Sequence, residues 1–79
     1  MQDQDLIRMA NQIAKAFNAY GDDEAIAQTQ DHIRRFWEPR MRKQIRAYVS
    51  DGGKGLDPVA LKAIQRLTEA ALAAGAPSG

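Results

Sequence analysis

Apolar residues return along this chain at steps of three and four. Leu6, Met9, Ile13, Phe17 and Tyr20 form the first such stripe, widened by Ile7, Ala10 and Ala14, while Arg8, Asn11, Gln12 and Lys15 fill the other positions. That interval is the repeat of one helix face, so the pattern predicts an amphipathic first helix. Asp3 or Asp5 is placed to cap it, because a short carboxylate accepts from the free N–H groups of a first turn. Gly21 is placed to end it, since glycine enters positive-φ backbone without steric cost.

Asp22, Asp23 and Glu24 follow at once and suit the positive end of a second helix dipole. Ile26, Thr29, Ile33, Phe36 and Trp37 continue at helical spacing, which predicts a helix to about Phe36. Pro39 disfavours helical geometry at Glu38 and fits the first turn of a new helix, so a bend is expected from Trp37 to Pro39. Met41, Ile45, Tyr48 and Val49 make a third stripe, with Arg40, Lys43 and Arg46 elsewhere on the wheel and Arg42 at its border. Ser50-Asp51-Gly52-Gly53-Lys54-Gly55 has the glycines of a linker and little to pack. Asp57-Pro58 then reads as a cap followed by Pro at the first helical position, ahead of Leu61, Ile64, Leu67, Ala71 and Leu72. This fourth stripe is expected to run to Gly75, leaving Ala76 to Gly79 as a flexible tail. No alternation of period two appears, and no heptad run long enough for a coiled coil. The expected fold is therefore all-α: a small bundle of about four short amphipathic helices, one domain over residues 1 to 75.

Composition narrows the chemistry. At 79 residues the chain has room for one modest core. It has no Cys, so disulfides, thiolate-held zinc and iron–sulfur clusters cannot be built from it. Residues 1 to 10 lack the basic start and apolar centre of a signal peptide, and about 18 apolar residues in a row occur nowhere. The expectation is a soluble, cytoplasmic protein.

The net charge of +1 conceals a strong polarity along the chain. Residues 21 to 31 carry four acids and no base, whereas 32 to 46 carry Arg34, Arg35, Arg40, Arg42, Lys43 and Arg46 against Glu38 alone. Such a basic run is usually a solvated face. It can also meet an acidic protein surface or nucleic acid. The acidic stretch upstream lies close enough to repel phosphates, and the pI of about 8.1 falls short of the usual basic signature. Binding of nucleic acid by residues 34 to 46, with two helices joined by a tight bend as in a helix-turn-helix, is kept as the alternative reading.

Other candidate chemistry is weaker. His32 stands beside Asp31, yet neighbouring residues on a helix point about 100° apart, and no Ser or Cys nucleophile accompanies them. One His makes no transition-metal site without carboxylates, and the acids sit mainly at caps. Gly52-Gly53-Lys54-Gly55 lacks the spacing and the Ser or Thr of a phosphate loop, and a helix stop explains it. Phe36 and Trp37 are consecutive, so both face one core only if the helix ends there. Trp37 is therefore read in two ways, as core or as a partly exposed anchor beside arginines, the pairing that interface hot spots favour.

Three blocks go further. Leu6-Ile7-Arg8-Met9-Ala10-Asn11-Gln12-Ile13, Asp31-His32-Ile33-Arg34-Arg35-Phe36-Trp37-Glu38-Pro39-Arg40-Met41-Arg42 and Gly55-Leu56-Asp57-Pro58 resemble the delta subunit of NAD-dependent formate dehydrogenase. Glu38 stands where that family more often has Asp. The resemblance implies a non-catalytic accessory subunit that supports assembly, stability or cofactor loading of the alpha subunit. It also implies that the molybdenum or tungsten pterin cofactor belongs to the alpha subunit, and that flavin and iron–sulfur clusters belong to the partner beta and gamma subunits, with no cofactor on this chain. The expected partner-binding residues are His32, Arg34, Arg35, Phe36, Trp37, Pro39, Arg40, Met41 and Arg42. Their guanidiniums suit partner carboxylates and a cofactor pyrophosphate equally well.

Overall fold

Gln2, and neither Asp3 nor Asp5, caps the first helix in the computed structural model, which describes residues 1–67. Helix α1 spans Asp3–Ala16. Asp5, at its third position, reaches back and accepts from the Gln2 backbone N–H at 3.3 Å. The two acids thus act inside the first turn, where negative charge complements the helix dipole. At the other end α1 stops before the predicted Gly21. A 3₁₀ turn over Asn18–Tyr20 intervenes, and its three-residue repeat takes Tyr20 off the apolar stripe and into solvent, 66% exposed. Gly21 has φ +90° and ψ 161°, a conformation essentially restricted to glycine, and it links the turn to the next helix.

Helix α2 spans Asp22–Phe36, with Asp22, Asp23 and Glu24 in its first turn. Trp37 and Glu38 are both extended, and Pro39 opens helix α3, Pro39–Ser50. The expected bend is therefore present, and the proline ring accounts for it. The end of α3 closes in a Schellman arrangement: Gly52 N–H donates to the Val49 carbonyl at 3.0 Å and Gly53 N–H to that of Tyr48 at 3.1 Å. Helix α4 starts at residue 58 and is described as far as 67. The expected end at Gly75 and the tail from 76 to 79 lie outside the described residues. Among the described residues there is no strand, and no helix is long and apolar enough to cross a membrane.

All four helices contribute to one core. Leu6, Ala10 and Ala14 come from α1, Ile33 and Trp37 from α2 and its end, Ile45 from α3, and Ala60, Ile64 and Leu67 from α4. Alanines at Ala10, Ala14 and Ala60 among the larger core side chains leave room for the helices to approach. Thr29 is fully buried too, and its Oγ1 has no hydrogen-bond partner among the described residues. A buried hydroxyl left unpaired costs about 1–3 kcal/mol, while an apolar side chain of the same shape carries no such penalty. Thr29→Val is accordingly expected to stabilise the fold by about 1 kcal/mol in urea unfolding; a loss of stability would mean that the hydroxyl is satisfied.

Candidate functional site

The turn from α2 into α3 fixes most of the candidate residues, and Arg42 holds that turn together. Its Nη1 donates to the Trp37 carbonyl at 2.6 Å and to the Arg34 carbonyl at 3.1 Å. Carbonyls at a helix C-terminus lack intrahelical partners and carry partial negative charge, so a guanidinium across them closes α2. Arg42 is half-buried in this role. Trp37, the other central candidate, is 5% exposed. Of its two readings the structure takes the core one, because the extended Trp37 backbone swings the indole inward once α2 has ended. Phe36, one residue earlier, is left 68% exposed.

Phe36 does not stand alone on the surface. Its ring lies 4.8 Å from that of His32, His32 lies 6.4 Å edge-on to Phe17, and Phe17 lies 6.2 Å from Tyr20. The Arg35 guanidinium sits 5.8 Å from the Phe36 centroid, within cation–π range. A groove of about 350 Å³ between α1 and α2 is lined by Met9, Gln12, Ile13, Phe17, His32 and the remaining surface of Trp37. Phe17 and Tyr20 belong to this face although their spacing assigned them to the core stripe of helix 1. The stop of α1 at Ala16 and the 3₁₀ turn that then displaces Tyr20 leave no periodic signal.

Asp31 lies beside the same face. It accepts from Arg34 Nη2 at 2.9 Å and from Arg35 Nη1 at 3.4 Å, so it serves the arginines and not the His32 imidazole. The Arg34 hydrogen bond is the main reason its carboxyl is held below the ordinary value of 3.8; desolvation opposes it, and Arg35 adds a lesser lowering. A depressed carboxylate pKa contributes stability above the unfolded value and loses it as pH falls through the folded value. Asp31→Asn is therefore expected to lower the melting temperature slightly at neutral pH and not at all well below pH 3.8. High salt should shrink the difference, because the pair is exposed.

The remaining candidates lie elsewhere. Pro39 and Arg40 are exposed, and with half-buried Met41 they line a separate notch beside Met1 and Glu38. Of the six basic side chains in residues 34 to 46, Arg42 is engaged with backbone, Arg34 and Arg35 share one carboxylate, and Arg46 is half-buried with an Nε that has no partner among the described residues. Arg40 and Lys43 are exposed and form no ion pair among the described residues. The basic run is thus divided among several jobs and does not present a continuous cationic strip.

A second set of residues, far apart in sequence, is joined by Asn11. Its Nδ2 donates to the Gly55 carbonyl at 2.9 Å, and its Oδ1 accepts from the Asp57 N–H at 2.8 Å. Both amide edges are used, which fixes the 51–57 loop and the start of α4 against α1. The Tyr48 hydroxyl donates to the Lys54 carbonyl from the other side. The glycine-rich stretch is therefore a pinned helix stop. Asn11→Ala removes two hydrogen bonds and leaves their partners short of one each, which is expected to lower stability by about 1–2 kcal/mol in urea unfolding; an unchanged midpoint would show that solvent replaces the clamp.

Fold and surface together define a small all-α protein with a half-sunken aromatic and basic face. The family model described as NADH-dependent formate dehydrogenase delta subunit, FdsD, matches residues 5–64, and the chain belongs to that family. The matched span includes the Asn11 clamp, the α2–α3 bend and the aromatic face. Comparisons with curated proteins and with solved structures give no match.

Proposed function

We propose that this protein is a non-catalytic accessory subunit of a soluble, cytoplasmic NAD-dependent formate dehydrogenase. It binds the alpha subunit, which holds the molybdenum or tungsten pterin cofactor, and supports that subunit's assembly, stability or cofactor loading. Association with the beta and gamma subunits follows through the complex. The observation that carries the reading is membership of the delta subunit family over residues 5–64, joined to an exposed ring cluster with arginines at its edge. Aromatic and Arg side chains dominate the energetics of protein interfaces. The chain has no Cys, so an iron–sulfur cluster held by its own thiolates is ruled out, and the redox chemistry falls to the partner subunits.

Within the expected partner-binding set, His32, Arg34, Arg35 and Phe36 are assigned to direct contact. Pro39, Arg40 and Met41 form a second contact region at the neighbouring notch. Trp37 and Arg42 act from beneath by holding the bend. Nucleic-acid binding is the weaker reading, since inward-turned Arg42 and the shared Asp31 carboxylate reduce the charge available to phosphates. Capture by the tagged chain from extract of its own cells tests the choice. A large molybdopterin-type dehydrogenase subunit should be retained through physiological salt. Retention of duplex DNA that is lost steeply as salt rises, with no dehydrogenase subunit, would overturn the proposal.

A further inference from the structure

A folded monomer seldom leaves large apolar rings grouped in water without a use. Here Phe36 and Tyr20 are each about two-thirds exposed, and the ring contacts through His32 and Phe17 join them to the groove between α1 and α2. The groove's walls are aliphatic at Met9 and Ile13 and aromatic at Phe17. Its volume of about 350 Å³ lies at the small end of the range for ligand pockets, which is roughly 300–1,000 Å³. That is room for one or two side chains.

Charge narrows the occupant. Among the described residues, no carboxylate lines the groove. Next to the groove, Arg35 lies over the Phe36 ring that packs on His32, and it shares the single carboxylate of Asp31 with Arg34, leaving an excess positive charge. Each arginine spends one N–H on Asp31 and keeps donors free. Because Asp31 holds both side chains in place, less rotamer freedom is lost when a second carboxylate arrives. A nucleobase would be stacked on ring faces, whereas these walls are partly aliphatic, which favours an apolar side chain.

We infer that this groove receives an apolar side chain from an acidic segment of the alpha subunit, seated over Trp37 and Phe17 and flanked by Phe36, while carboxylates of the same segment meet Arg34 and Arg35. The inference rests on the accessory-subunit reading and deepens it by naming the face used and the chemistry of the segment recognised.

The test is titration of the purified alpha subunit with the wild-type chain and three variants, each first checked for an unchanged melting temperature. Phe36→Ala and Arg35→Glu both alter exposed side chains, and each is expected to weaken binding by roughly thirtyfold or more, the effect of losing a hot-spot residue. Lys62→Glu, on exposed α4 surface outside this groove, should bind like wild type. Rising salt should weaken wild-type binding more than that of Arg35→Glu. If the wild-type chain binds while Phe36→Ala and Arg35→Glu match it, the groove assignment is overturned and the accessory role stands. If the wild-type chain does not bind the alpha subunit at all, both fall. Self-association or oligonucleotide binding that Phe36→Ala abolishes, with alpha-subunit affinity unchanged, gives the groove to a second copy or to nucleic acid and overturns the inference as well.

Discussion

Trp37→Ala is expected to bring this protein close to unfolding. The indole is 5% exposed and packs in the core with residues of α1, α3 and α4. Truncating a buried Trp costs about 3–5 kcal/mol through lost burial and the cavity left behind. A chain of 79 residues has a total stability of roughly 4–12 kcal/mol at the usual per-residue range, so the loss is a large fraction of the whole. The neighbouring Phe36→Ala should shift stability by no more than about 0.5 kcal/mol, because that ring is exposed. Far-UV circular dichroism in a urea series measures both without needing the Trp as a probe. Equal losses at the two positions would mean that the inward and outward assignments of the rings are wrong.

Gly53→Ala is the second large effect. Gly53 has φ +65°, and a Cβ there would lie 2.6 Å from Leu61 Cδ1. An L-residue in that backbone region costs about 1–2 kcal/mol, and crowding in a packed site adds a similar amount. The Leu61 methyl is the end of a side chain and can give way in part, so the sum should be about 2–3 kcal/mol. Gly52 provides the control. Its φ of +120° is also unfavourable for other residues, but nothing lies within 4 Å of its Cβ position. Gly52→Ala should therefore show a backbone cost alone, and in a double-mutant cycle Leu61→Ala should relieve part of the cost of Gly53→Ala and none of that of Gly52→Ala. No coupling between Gly53→Ala and Leu61→Ala in urea unfolding would remove the packing argument.

Helix positions were legible in the sequence where a local rule decides them. Pro39 and the acids after Gly21 set the boundaries of α2 and α3, because proline geometry and helix-dipole charge act over one turn. The choice between Phe36 and Trp37 was not legible, since both positions continue the Ile26, Thr29 and Ile33 stripe. It is settled by the residue at which α2 stops. Tyr20 was misassigned for a related reason: the extrapolated 3.6-residue repeat gives way to a 3₁₀ turn after Ala16. The candidate contact face was legible as a segment and not as a surface. Residues 32 to 42 contain the rings and arginines, but Phe17 and Tyr20 reach them only through tertiary packing. Arg42 looked like another surface cation and instead bonds to carbonyls on the preceding helix. Asn11, one of the exposed polar positions on the helix 1 wheel, clamps a loop more than forty residues away.

The most direct measurement is sedimentation of the purified chain mixed with the purified alpha subunit at physiological salt, alongside a formate-oxidation assay of the chain alone. A saturable complex of fixed stoichiometry is expected, with no turnover by the isolated chain. A chain that sediments alone at every ratio, or that oxidises formate without a partner, would contradict the accessory role.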